Sequence, residues 1–230
     1  MKFKAPFIKQ AICEIRFNPI LSYHQKRFEI CEKFKEKLPY WWFDIARIDM
    51  YEQKEKEASQ RLFTMTCRGA SLLFKDVGPY DNFKALSSYL LENVTSGMEI
   101  NDIIRLGARF FYLSEYENSF NNLKDLLVSK LYMNEFIKNL KIQEKLSDLA
   151  YVLDFTQNNT KFHLALGPVS RKEIEERFGG KEKTIDVALI IDLDCFLENV
   201  SSTIIKSFLR TSFTDSQAIL EKILNILKEE

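Results

Sequence analysis

The sequence is short of the residues that most catalytic signatures need. Two histidines, His24 and His163, are its whole imidazole supply, so a histidine-based metal site has little to draw on. Its four cysteines, Cys13, Cys31, Cys67 and Cys195, are far apart in apolar surroundings and form no Cys-x-x-Cys. They read as buried free thiols rather than as ligands or bridges. Gly-x-Ser-x-Gly, Gly-x4-Gly-Lys-Ser/Thr and Gly-x-Gly-x2-Gly are all missing, which leaves neither a nucleophile elbow nor a phosphate cradle. No charge surplus exists either: 33 Lys and Arg face 33 Asp and Glu. Nucleic-acid binders carry a basic excess, so nucleic acid is not an expected partner. No apolar run approaches the ~18 residues of a membrane span, and the start lacks the apolar core of a signal peptide. The expected location is the cytoplasm, with no membrane association and no cofactor. Only seven glycines and five prolines, with no Ser/Gly-rich tract, leave no linker between domains.

What is present is apolar and aromatic, 46% and 13% of 230 residues, enough for a sizeable core. The organising stretch is Ile103 to Tyr112. Read with period two, Ile104, Leu106, Ala108, Phe110 and Tyr112 share the inward face, and Arg105, Gly107 and Arg109 share the outward one. Ala11 to Phe17 echoes it, with Ala11, Cys13, Ile15 and Phe17 inward and Glu14 and Arg16 outward.

From the first strand the reading continues in order. Ser22 N-caps a helix from Tyr23 to about Leu38, stopped by Pro39. Trp41 to Gln53 reads as one long strand, and the Lys54–Glu57 charge run as a hairpin tip. Strands at Arg61–Arg68 and Ser71–Asp76 flank Gly69-Ala70, and Asp81 caps a helix from Asn82 to about Val94. After the central strand, Phe120 to Asn139 is helical. Strands around Leu149–Phe155 and Phe162–Leu166 flank an Asn158-Asn159 turn. An insertion holds a charged helix, Arg171–Phe178, with Gly179-Gly180 as its C-cap and turn. Thr184 to Phe196 is a strand with Asp186, Asp192 and Asp194 outward. Ser201 starts a helix through Arg210, and Thr214-Asp-Ser-Gln217 reads as a capping box opening a last one. Each half thus reads β-α-β-β-β-α. The expected fold is α+β: one integrated domain of two half-repeats, 1–98 and 99–230, the second with an insertion at 168–183 and a helical C-terminus. Its mostly antiparallel sheet has about eight strands with helices on one face.

Three motifs in this order and spacing carry a resemblance: Ile12-Cys-Glu-Ile-Arg-Phe17, Arg105-Leu-Gly-Ala-Arg-Phe110, and Ile190-Ile-Asp-Leu-Asp194 followed by Phe213-Thr-Asp215. Together they resemble a sporadically distributed family of uncharacterised prokaryotic conserved-hypothetical proteins of this size. The chain departs from that pattern at Ala108, where a larger apolar residue is expected, and at Tyr112-Leu113, where Asn is frequent. The resemblance implies no activity. The family's patchy occurrence suggests a role in phage defence or in a toxin–antitoxin-like gene pair.

The candidate ligand-binding residues are Arg16 and Arg109, read as equivalents in the two halves and as neighbours at the centre of the open face, with Arg105 and Glu14 beside them. Like-charged guanidinium groups there need anions, either Glu14, Asp192 and Asp194 or an acidic ligand. Asp192 and Asp194 are also a weak Mg²⁺ candidate, set against their pairing with arginine on a neighbouring strand. Trp41, Trp42 and Phe110–Tyr112 read as core and rim. The expected function is non-catalytic binding or interaction, with a protein partner encoded nearby or a homo-oligomer. The alternatives are an anion or nucleotide sensor on the arginine face and a Mg²⁺-dependent enzyme.

Overall fold

The centre of the molecule is an antiparallel pair, β1 (Phe7–Arg16) and β6 (Asp102–Glu115), whose alternation sorts their side chains onto two faces. Ala11, Cys13, Ile15, Leu106, Ala108, Phe110 and Tyr112 all lie in the main core. Glu14 pairs with Gly107, Arg16 with Arg105 and Ile12 with Arg109 on the opposite face. The computed structural model describes residues 3–131, 147–179 and 185–228.

Around this pair the chain builds an α+β fold with a nine-stranded antiparallel sheet. In chain order the other strands are β2 (Tyr40–Phe43), β3 (Arg47–Tyr51), β4 (Arg61–Thr66), β5 (Gly69–Lys75), β7 (Tyr151–Gln157), β8 (Thr160–Ser170) and β9 (Val187–Ser201). The sheet order is β2-β3-β4-β5-β1-β6-β9-β8-β7. Outward from the central pair, each side therefore runs through its last, middle and earlier strands in the same sequence. Only β2 lacks a counterpart among the described residues.

Four helices, α1 (Tyr23–Glu32), α2 (Tyr80–Gly97), α3 (Phe120–Leu131) and α5 (Ile205–Lys228), contribute buried apolar residues to the main core. Among the described residues one further helix, α4 (Arg171–Phe178), lies on the other face. Its Ile174 and Phe178 pack on a satellite cluster of Phe111, Leu113, Ala188 and Ile190. The expectation of helices on one face alone is thus corrected: those four residues make this part of the second face apolar, and α4 covers it. A capping box between Ser170 and Glu173 starts α4, and Gly179, with φ of 65°, ends it. Gly180 and the end of the expected Phe120–Asn139 helix lie outside the described residues.

Other boundaries also move, for local reasons. The long Trp41–Gln53 strand is a hairpin. Asp44 turns the chain by accepting from the Ala46 and Arg47 amides at 2.7 and 2.8 Å, which raises the strand count from about eight to nine. Ser22 makes no side-chain cap, and Asp81 sits inside α2, where it pairs with Lys84 at 2.6 Å. Thr214-Asp-Ser-Gln217 opens nothing, because α5 runs through it without a break. Instead Ser216 and Gln217 meet the buried Tyr112 hydroxyl at 2.7 and 3.1 Å. Ile104 faces outward and Ile103 is buried. The β6–β9 ladder skips the Ile104–Asn199 pair, and Asn199 takes φ of 53°, so the inward alternation changes phase there.

Candidate functional site

The open face carries its charges on adjacent strands at matched positions. In the β6–β9 ladder Arg109 stands opposite Asp194 and Phe111 opposite Asp192, so Asp192 reaches Arg109 diagonally, whereas Arg105, opposite Glu198, extends along the strand to Asp194. Arg109 donates through Nε and Nη2 to both oxygens of Asp192, at 2.8 and 2.6 Å. Arg177 from α4 adds a third contact to Asp192 at 3.3 Å. Arg105 donates to Asp194 at 2.6 Å, and its guanidinium lies 4.1 Å from the centre of the Phe196 ring. Burial lifts the Asp194 carboxyl above the ordinary aspartate range, with the Asp192 charge adding to the rise, while Arg105 and Arg109 oppose it. The Arg109 guanidinium is held further into its charged form, chiefly by its hydrogen bonds to Asp192.

The face brings together the residues singled out in the sequence, with one change of neighbour. Arg16 lies beside Arg105, its partner in the ladder, and Arg109 lies beside Ile12. The expectation that Arg16 and Arg109 sit side by side is corrected, since the antiparallel register separates them along the strands on either side of the Glu14–Gly107 pair. Arg16 is paired with Glu14 from its own strand, two residues back, and is more than half exposed. Asp192 and Asp194 are engaged by arginines, and no three His, Cys, Asp or Glu side chains converge as a metal set among the described residues.

Beside Arg16 a hollow of about 230 Å³ opens, lined by Glu14, Arg16, Thr66, Arg68, Gly69 and Ser71. Arg68 was not anticipated in the sequence. It sits in the two-residue turn between β4 and β5, and only the register, which pairs Thr66 with Gly69 and Gly69 with Arg16, brings it to this face.

A second missed residue is Asp49, fully buried on β3. It accepts from Arg47 Nε at 2.6 Å and from the Thr64 hydroxyl at 2.7 Å, and it pairs with Lys56. Burial pushes its pKa up, but these hydrogen bonds and the Arg47 charge together bring it below the ordinary value.

The aromatic residues divide differently from the core-and-rim expectation. Phe110 and Tyr112 are core and Phe111 belongs to the satellite cluster, but Trp41 and Trp42 belong to neither. They sit on β2, the edge strand, where Tyr40, Trp41, Trp42 and Phe43 are 40, 46, 50 and 46% exposed. Trp41 and Phe43 stack at 5.3 Å, and Phe28 of α1 meets the Phe43 ring edge-on at 5.2 Å. Arg27, buried beneath, donates to the carbonyls of Asp44 and Ile45 at 2.8 and 3.2 Å and so fixes the β2–β3 turn to α1. Pro39 and Asp44 on either side of four aromatics are the sequence signals that mark this short strand.

Among the described residues no helix is long and apolar enough to cross a membrane. No family model matches the chain, and no curated protein is similar to it.

Proposed function

We propose that this is a non-catalytic binding protein that accepts an extended segment of a protein partner as a tenth strand along β2. One observation carries the reading: four consecutive aromatic side chains, each 40 to 50% exposed, stand on a strand that has a neighbour on one side only among the described residues. A bare edge offers a row of backbone donors and acceptors, a hazard that folded proteins suppress with charge, proline or a cover. Here the edge is made more adhesive. At 150–250 Å² per aromatic side chain, the four leave roughly 350 Å² of ring surface in water. That is the scale of patches that mark interaction sites and nearly half of the ~800 Å² each partner buries in a standard interface. Trp and Tyr are also the residues in which binding energy concentrates.

The alternation on β2 sets the partner's chemistry. Trp41 and Phe43 share the face of α1's Phe28, whereas Trp42 lies opposite Asp49 on the open face. A strand added here meets aromatic surface on both faces, so the segment it suits is apolar on both sides. We read the two halves as a duplicated unit whose axis passes between Glu14 and Gly107, and β2 as the strand added to the first half. The resemblance to a patchily distributed prokaryotic family supports a cytoplasmic role beside a partner encoded nearby, in a defence or toxin–antitoxin-like pair.

The test is selection of a displayed random-peptide library on the full chain and on Trp42→Glu and Trp41→Lys, with unchanged melting temperatures showing that the variants fold. Peptides apolar at successive positions that bind the wild type and lose at least tenfold on both variants support the reading. Binders indifferent to both substitutions, no binders, or a second copy of the chain already seated on β2 in sedimentation would overturn it.

A further inference from the structure

The hollow beside Arg16 does not depend on β2, and its charges are unevenly distributed. Three guanidinium groups of the open face, Arg105, Arg109 and Arg177, are held by Asp192 and Asp194 of β9. Arg16 and Arg68, which line the hollow, share one carboxylate, that of Glu14 on Arg16. Among the described residues Arg68 has no carboxylate partner and the Ser71 hydroxyl has no hydrogen-bond partner. Arg16 also stands directly opposite Arg105 in the ladder, and like charges at directly opposed positions repel. The hollow therefore has an excess of cation and of hydrogen-bond donors.

Its frame is fixed before anything binds. The Phe17 amide donates to the Arg68 carbonyl at 2.9 Å and the Ile20 amide to the Cys67 carbonyl at 3.1 Å, tying the β4–β5 turn to the chain leaving β1. Gly69 lies so close to β1 that a Cβ there would stand 2.6 Å from the Ile15 carbonyl oxygen. A donor set held in this way gives up little backbone entropy on binding.

We propose that Arg16, Arg68 and the Ser71 hydroxyl form a binding site for a phosphoryl group. Two guanidinium groups and hydroxyl groups against a single carboxylate favour an anion over a cation. At about 230 Å³ the hollow is smaller than pockets that enclose whole organic ligands, so it receives a group rather than a molecule. Two forked guanidinium groups and a hydroxyl offer more donors than the two oxygens of a carboxylate can use well. A phosphoryl group brings three oxygens and up to two charges to the same space. Glu14 competes for Arg16, so it sets the affinity from within the site.

The experiment is a titration of the full chain with inorganic phosphate at constant ionic strength, read by calorimetry and by backbone amide NMR shifts, with acetate as a second arm. The expected result is one saturable phosphate site whose affinity falls at least tenfold in Arg68→Gln and in Arg16→Gln. It rises severalfold in Glu14→Gln and is unchanged in Glu52→Gln, which makes the same charge change outside the hollow. Shifts at residues 68–71 locate it. Arg68 is an exposed turn residue, so its variant keeps the fold, which the melting temperature checks. Phosphate binding as tight in Arg68→Gln as in wild type overturns the site. Equal gains in Glu14→Gln and Glu52→Gln overturn it too, because they report only the overall field of the protein. Acetate binding as tightly as phosphate overturns the assignment to a phosphoryl group.

Discussion

Removing the Asp192 carboxylate tests the open-face charge lattice where it is best formed. Asp192→Ala strips Arg109 of two charge-assisted hydrogen bonds and Arg177 of a longer one, while the Asp192 side chain itself is only 7% exposed. Hydrogen bonds to charged groups contribute about 1.5–3 kcal/mol each where the partner is left buried and unpaired. The arginines are 40% and 46% exposed, so water recovers much of their loss, and the figure must be discounted toward that of an exposed pair. A net cost of about 2 kcal/mol follows, which for a domain of this size lowers the melting temperature by roughly 4–8 °C. The assay is urea unfolding of wild type, Asp192→Ala, Arg109→Met and the double variant. Methionine keeps an apolar stem against Phe111, over which the Arg109 guanidinium now lies at 4.8 Å. A coupling of about 1 kcal/mol between the two sites is expected. If Asp192→Ala costs less than about 0.5 kcal/mol and the coupling vanishes, the lattice does not hold β6 to β9, and the energetic reasoning used for this face fails.

Three further outcomes follow from single contacts. Tyr112→Phe removes a buried hydroxyl that meets Ser216 and Gln217, and should cost about 1–2 kcal/mol in chemical denaturation, since it leaves both partners short of a bond. Gly69→Ala places its Cβ against the Ile15 backbone oxygen, which a side-chain rotation cannot relieve, so a melting temperature lowered by several degrees is expected. The folded pKa of Asp49 lies below its unfolded value, so its stabilisation is complete above the ordinary aspartate pKa and is lost as pH falls through the folded one. Asp49→Asn should flatten the fall in stability below about pH 4. Asp194 acts with the opposite sign: its folded pKa is raised, so it adds stability as pH falls from that raised value towards the ordinary one, and Asp194→Asn should remove this gain, which lies above about pH 4.

The strands that build the core were legible because burial on one face imposes a strict period. Ala11 to Phe17 and Leu106 to Tyr112 fall where alternation puts them. Asn158 and Asn159, with φ of 49° and 65°, make the hairpin turn that their tolerance of positive φ suggests. Legibility failed where geometry depends on a distant strand. Nothing local distinguishes Ile103 from Ile104 as the buried residue. Nor does Arg16 declare that its neighbour is Arg105 rather than Arg109, because that is decided by the sum of two positions in a ladder. The Thr214–Gln217 pattern satisfies a capping rule and is overruled by an apolar stripe that continues from Ile205 to Leu227. Trp41 and Trp42 mislead for another reason: aromatic residues usually enter the core, and only the position of β2 at the sheet edge shows that these do not.

The most direct measurement is backbone hydrogen–deuterium exchange at residues 40–43, in the free chain and with a selected apolar peptide bound. A strand taken up along β2 predicts fast exchange at its outer amides in the free chain and at least a tenfold slowing in the complex, with little change elsewhere in the sheet. Unaltered exchange at these four residues, with protection arising in another part of the molecule, would contradict it.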